Sequence, residues 1–437
     1  MNNGFRLLLI GDSDSQLLAC EALCQFPESL AVDITINAIP REGTPEDVLQ
    51  RAKAKGTLWR FEIGQLLTHP ELLRFDAIGV YLTGSKISDF RLALSMLSKD
   101  VRPLLFCGFN GVVLEKFQEG MSWRLGYDLI CLNGPRDQFE LDQMLMGSPF
   151  VGQTTVLTGL KRNGEAIRPK TIRQSRRKQL VFAEQVVMPR QYGDRAELLR
   201  ILADLARRSP DWEVLIKPRI SPEETTFHQV DTHISQTLIE SIGHPPTNLR
   251  LDYRPLAELL SQSRLMATVS STAFFDALDF GCRPVVMADF GLDPSNGSHL
   301  FAGSGVWQTL DVVEDLNDLD LTLQPPDAEW LAWMGYGRDW RPEQLITSLQ
   351  SLKRREQPLI REKPGYVCNA NFSFTQLRRD AERAIKEENW VKAQSLLTLG
   401  SLMRPTHRNV AGRLKAVEQR NRVLRRLLLL MTFRDVG

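Results

Sequence analysis

Short apolar runs recur along the first part of the chain, at residues 5–10, 32–36, 77–81, 104–107 and 129–132. They lack polar alternation and are too short for helices, as expected of strands buried on both faces. Helical patterns separate several of them, over 13–24 and around 90–97. This strand–helix alternation predicts a parallel sheet covered by helices. The pattern then repeats. Residues 180–183, 213–216, 249–252, 265–269 and 283–288 read as strands, and 194–208 and 272–280 as helices. The chain is therefore expected to be α/β, with one unit over 1–160 and a second over 180–364. A helix and turn at 330–337 are expected to close the second unit.

Two segments break the rhythm. Residues 161–179 lack periodicity and carry Lys161, Arg162, Arg168, Lys170, Arg173, Arg176, Arg177 and Lys178 against Glu165. They read either as a solvated linker or as a cationic wall of an interdomain cleft facing an anionic substrate. Residues 365–437 are helical and rich in Leu, Arg and Ala. From Arg404 onward nine Arg and Lys face two acids. Val410, Leu414, Val417, Leu424 and Leu428 read as one apolar stripe. The tail is expected either to pack on the preceding domains or to dock on a partner or a membrane surface.

Composition adds bounds. The 437 residues are 43% hydrophobic and 24% charged with a net charge of +1, ordinary for a soluble globular protein. The basic stretches do not interleave aromatics at stacking spacing, which argues against specific nucleic-acid binding. Six cysteines form no CxxC pair, as expected in a reducing cytoplasm. No apolar run reaches the roughly 18 residues of a membrane span. The expected location is cytoplasmic, with peripheral contact at the inner membrane face as the alternative raised by the tail.

The richest candidate chemistry follows the strand at 265–269. Ser270, Ser271 and Thr272 stand where a helix begins, and Asp276 lies one turn inside it. Helix N-termini at strand carboxyl ends present N–H groups to anions. Hydroxyls at that point suit a nucleotide phosphate, and the carboxylate of Asp276 can accept from ribose hydroxyls or simply complement the helix dipole. Lys217 and Arg219, at the end of the 213–216 strand, are further candidate phosphate ligands, and His228 is a third. The expected ligand is a nucleotide-sugar acting as substrate, with no cofactor and no metal. Asp12-Ser13-Asp14 mimics a metal-binding DxD, but it follows the first strand, too early for that motif.

Two successive α/β domains with this second-domain pattern resemble GT-B glycosyltransferases, built from two Rossmann-like domains. The residues that carry the likeness are Ile216-Lys217-Pro218-Arg219, then Glu223-Glu224-Thr225-Thr226-Phe227-His228, then Val269-Ser270-Ser271-Thr272 with Asp276 and Gly281. They are similar to bacterial sialyltransferase-like and capsule-type enzymes and to a related family of glycosyltransferases without assigned substrates. In CMP-sugar enzymes of this type a His-Pro pair and a Ser-Ser/Thr pair hold the nucleotide. Ser270-Ser271-Thr272 matches the second pair, while Lys217-Pro218-Arg219 replaces the first. The resemblance implies a metal-independent transfer of sugar, with a CMP-sugar favoured, to a glycan or lipid-linked acceptor in polysaccharide biosynthesis. Glu119, in Gln118-Glu119-Gly120, resembles the acidic-acidic-Gly motif of polysialyl-type enzymes and is a candidate base. Asp12 and Asp14, after the first strand, are its rivals. The helical tail is similar to half a tetratricopeptide pair through Trp390, Ala393, Leu397, Gly400 and Pro405.

Two other functions fit parts of the chain. A non-catalytic nucleotide-sugar-binding protein would use the same hydroxyls. A GDS-type esterase would use Ser13 as nucleophile, but it needs an Asp-x-x-His, and Asp231-Thr232-His233 has the wrong spacing.

Overall fold

The computed structural model describes residues 4–24, 26–41, 44, 46–97, 103–113, 117–146, 151–160, 175–185, 188–189, 191–219, 221, 232–337, 343–354, 374–404 and 406–433. The first lobe is a seven-stranded parallel sheet in the order β3-β2-β1-β4-β5-β6-β7. Its strands are β1 (Phe5–Gly11), β2 (Val32–Ala38), β3 (Thr57–Trp59), β4 (Ala77–Tyr81), β5 (Leu104–Cys107), β6 (Leu129–Leu132) and β7 (Thr155–Leu157). The second lobe is a six-stranded parallel sheet, β10-β9-β8-β11-β12-β13. These strands are β8 (Arg177–Ala183), β9 (Glu213–Lys217), β10 (Leu249–Leu251), β11 (Ser263–Thr268), β12 (Arg283–Met287) and β13 (Trp307–Gln308).

The expected strands are present within a few residues. The three that the apolar pattern missed are β3, β7 and β13, each two or three residues long. Such segments are too short to bury a continuous apolar run. In β1 the alternation is divided between two cores: Leu7 and Leu9 face one side of the sheet, Leu8 and Ile10 the other. That two-sided burial is why the strand reads as uniformly apolar.

The expected boundary of the second unit at 364 is corrected. The helix Glu343–Lys353 crosses back to the first lobe, where Leu345, Ile346, Leu349 and Leu352 join Leu7, Leu9 and Phe106 in one core. Lys353 also pairs with Asp76 there. The segment at 330–337 does more than close one lobe. Trp330 packs among Phe274, Phe275 and Phe301 of the second lobe. Trp333 meets Phe139 of the first lobe at 5.8 Å, and Gly335 accepts from the Leu160 amide at 2.8 Å. Gly335 has φ +83°, and a Cβ there would lie 2.0 Å from the Asn133 carbonyl oxygen. Only glycine lets the two backbones touch at this junction.

The linker at 161–174 lies outside the described residues. Where the basic stretch becomes visible it is structural. Arg176 is buried and donates to the carbonyls of Leu260, Ser263 and Phe280, and Lys178 binds Asp211 and Asn317. These two cations brace the second lobe, so they do not form the cationic cleft wall that was one reading of the stretch.

The tail forms helices Phe374–Lys386, Trp390–Met403, Arg408–Val417 and Arg422–Phe433 around a core of their own, including Phe374, Ala381, Ala393, Leu397, Val410, Val417 and Leu429. The single stripe read from the sequence is divided over two helices. Asn421 caps the last one, accepting from the amides of Val423 and Leu424 at 2.9 and 3.2 Å. Val410 and Val417 point inward, whereas Leu424 is exposed. No described helix is long and apolar enough to cross a membrane.

Candidate active site

A cavity of about 350 Å3 opens between the lobes. Its first-lobe wall comes from segments that follow the strands: Ser15 after β1, Tyr81 ending β4, Phe109 to Val112 after β5, Asn133 after β6, and Thr158 to Leu160 after β7. Its second-lobe wall is Thr272, Phe275 and Asp276, just after β11. Carboxyl ends of parallel strands are where α/β sheets place their ligands, and here both sheets aim theirs at one cleft.

The helix Ala273–Asp279 is pinned from behind. Phe274 and Phe275 are buried among Phe301, Trp330 and Tyr336. Tyr336 donates to Asp279 at 2.9 Å. This fixes one face of the helix, and Thr272 and Asp276, four residues apart, share the other edge toward the cleft.

The hydroxyl cluster divides differently from the expectation of a phosphate cradle. Ser270 is 2% exposed; its amide donates to Gln185 Oε1 at 2.9 Å and its hydroxyl accepts from Gln185 Nε2 at 3.2 Å. The Ser271 amide donates to Thr268 Oγ1 at 3.1 Å, and Ser271 Oγ accepts from the Ala273 amide at 3.2 Å. The Phe274 and Phe275 amides donate to the carbonyls of Ser271 and Thr272. The turn consumes its own donors, because buried backbone N–H groups must be paired. Ser270 and Ser271 therefore build the turn, while exposed Thr272 and half-buried Asp276 line the cleft.

Lys217 ends β9 and Arg219 lies two residues beyond it, two strands away from β11. Lys217 Nζ donates to the Pro218 carbonyl at 2.5 Å, and the Arg219 amide donates to Glu184 at 3.0 Å. Neither is among the residues that line the cleft. His228 lies outside the described residues. The cleft does hold a cation that no motif announced: Arg51, from the helix Glu46–Lys53, paired with Glu21 at 2.8 Å. Its signal was absent because it is one of many charged positions on an amphipathic surface helix.

The candidate bases separate as clearly. Asp12 is buried, with Oδ1 accepting from the Thr83 amide and hydroxyl at 3.1 and 2.9 Å and Oδ2 from Lys86 at 2.9 Å. Both oxygens are committed, so Asp12 is corrected from candidate base to a latch between β1 and the segment after β4. Asp14 is half-buried in the first turn of the helix Asp14–Leu23, one residue before cleft-lining Ser15. Glu119 is half-buried in the helix Phe117–Ser122, behind the wall rather than in it. Its neighbour Gly120 packs on Phe109, where a Cβ would lie 3.1 Å from the ring. Ser13 meets Ser15 at 3.3 Å through its hydroxyl, a contact that does not activate an esterase nucleophile.

A second cavity of about 430 Å3 lies on the same edge of the second sheet. It is lined by Met188, Gln191 and Asp194 after β8 and by Phe290, Asp293 and Asn296 after β12.

Comparison with known proteins agrees with this architecture. A solved structure described as a putative UDP-N-acetylglucosamine 2-epimerase from Listeria monocytogenes aligns with a TM-score of 0.52 at 15% identity, over 81% of this chain and 98% of that one. The S. aureus MnaA–UDP complex aligns with a TM-score of 0.51 at 12% identity, over 79% and 96%. At such identities the likeness establishes the fold, two Rossmann-like lobes of GT-B type followed here by helices. No curated protein matches the sequence. The family model described as "Putative glycosyltransferase (DUF6716)" matches residues 7–352, and the chain belongs to that family.

Proposed function

We propose that the protein transfers a sugar from a pyrimidine nucleotide-sugar to an acceptor bound against the first lobe. The observation that carries this reading is the single cleft into which the carboxyl ends of both sheets point, with Thr272 and Asp276 on one wall and Arg51 on the other. Asp276 accepts the ribose hydroxyls, Thr272 donates to a phosphate oxygen, and Arg51 supplies charge to the same group. The acceptor oxygen attacks the anomeric carbon, the bond from that carbon to the phosphate oxygen breaks, and its electron pair leaves on the nucleotide. A carboxylate takes the acceptor proton. Asp14, next to cleft-lining Ser15, is the candidate, since Asp12 is committed to Thr83 and Lys86 and Glu119 lies outside the cleft lining.

The sequence resemblance favours CMP as the nucleotide, whereas the S. aureus protein of similar fold was solved with UDP. Thermal denaturation of the full chain with CMP, UDP, GDP and ADP tests the reading, since a ligand of the native state raises Tm by mass action. One pyrimidine nucleotide should raise Tm for the wild type and much less for Thr272→Val or Asp276→Asn. No response to any of the four would overturn it. Slow release of nucleotide from its sugar conjugate, without acceptor, separates the enzyme from a non-catalytic binder.

A further inference from the structure

The last described helix, Arg422–Phe433, is apolar on two opposite sides. Leu428 and Leu429 face the small core of the tail. Val423, Leu424, Leu427, Leu430 and Met431 are 43–69% exposed. At a helical repeat of 3.6 residues these five make one continuous stripe. Large exposed apolar stripes on soluble proteins mark contact surfaces.

The charge around the stripe identifies the occupant. Arg420, Arg422 and Arg426 are exposed beside it, as are Arg404, just after the helix Trp390–Met403, and Arg408 and Lys415 on the helix Arg408–Val417. Arg426 reaches Glu388 at 3.2 Å but keeps most of its side chain in solvent. A second copy seated on this stripe would bring like charge against like charge. A surface carrying anionic headgroups gains from the same arginines while its acyl region takes up the leucines. We propose that the tail docks the protein on an anionic membrane surface, with Val423, Leu424, Leu427, Leu430 and Met431 entering the interface and the flanking arginines meeting lipid phosphates. This inference does not depend on the proposed sugar transfer.

The test is co-sedimentation of the full chain with vesicles of phosphatidylcholine alone or with phosphatidylglycerol added. Binding is expected only with the anionic lipid, falling roughly tenfold or more between low salt and high salt as the headgroup attraction is screened. Leu427→Glu/Leu430→Glu should abolish binding, and Arg420→Glu/Arg422→Glu should weaken it about thirtyfold or more. All four positions are exposed, so Tm and nucleotide-induced stabilisation should match the wild type. The salt series on the unmodified chain keeps the proposal falsifiable if a variant misfolds. Equal binding to neutral vesicles, no binding to anionic ones, or binding untouched by both variants would overturn it. So would a dimer that Leu427→Glu/Leu430→Glu converts to monomer, which would assign the stripe to a second copy.

Discussion

The two lobes solve one topological problem with different chemistry. In each sheet the strand order reverses, between β1 and β4 in the first lobe and between β8 and β11 in the second. A crevice opens at such a reversal, and α/β proteins commonly bind ligands there. Here both crevices are latched by the side chain that follows the first strand of the pair. Asp12 spans to Thr83 and Lys86 with a charge, and Gln185 spans to Ser270 and Thr268 without one. The lesson is that a switch point can be spent on holding a lobe together. The groups that line the cleft then stand on the facing edges, where the lobes meet.

The comparison can be broken most directly at Asp12. Asp12→Ala leaves the Thr83 amide and Lys86 without their acceptor, and should cost about 2–3 kcal/mol of stability in denaturant titration. Gln185→Ala removes neutral hydrogen bonds and should cost about 1–2 kcal/mol by the same measurement. A larger loss at Gln185 than at Asp12 would reverse the proposed difference between charged and neutral latches. A finer test separates latch from ligand contact. Thr272→Val should weaken nucleotide binding about five- to tenfold in calorimetry, the equivalent of one hydrogen bond, while Ser270→Ala should change it less than about twofold. Equal losses would mean that Ser270 contacts the ligand.

The smallest effect concerns one cysteine from each lobe. Cys131 lines the cleft and Cys282 lies in the second-lobe core, and burial pushes both thiols up to about 12. The thiolate is the reactive form, so iodoacetamide should label neither in the native protein at pH 8, with labelling appearing only as pH rises toward that value. Rapid labelling of Cys131 alone, read by mass spectrometry, would show that the cleft floor is wetter than the packing implies.

Much of the fold was legible because long buried strands leave continuous apolar runs, as at Leu7, Leu8, Leu9 and Ile10. The edge strand β13 left none: it spans two residues, Trp307 and Gln308. The return of Glu343–Lys353 to the first lobe was equally hidden. Its apolar face, Leu345, Ile346, Leu349 and Leu352, would suit either sheet. The site was half legible. The hydroxyl-rich turn after β11 does stand beside the cleft, but of its three hydroxyl residues Ser270 and Ser271 are bonded within the turn and Thr272 lines the cavity.

The order of residues alone determined two α/β units and a helical, basic tail, because periodicity and burial are local properties of the chain. It also marked the hydroxyl-rich turn after β11 and Asp276 as candidate site residues. Which of them do face a cleft was decided by tertiary structure. Thr268, Gln185 and the turn amides claim Ser270 and Ser271, and Thr83 and Lys86 claim Asp12. Arg51 reaches the site only because a surface helix packs beside it. A hydrogen-bonding group has few partners to give, and only the folded neighbourhood determines where they are spent.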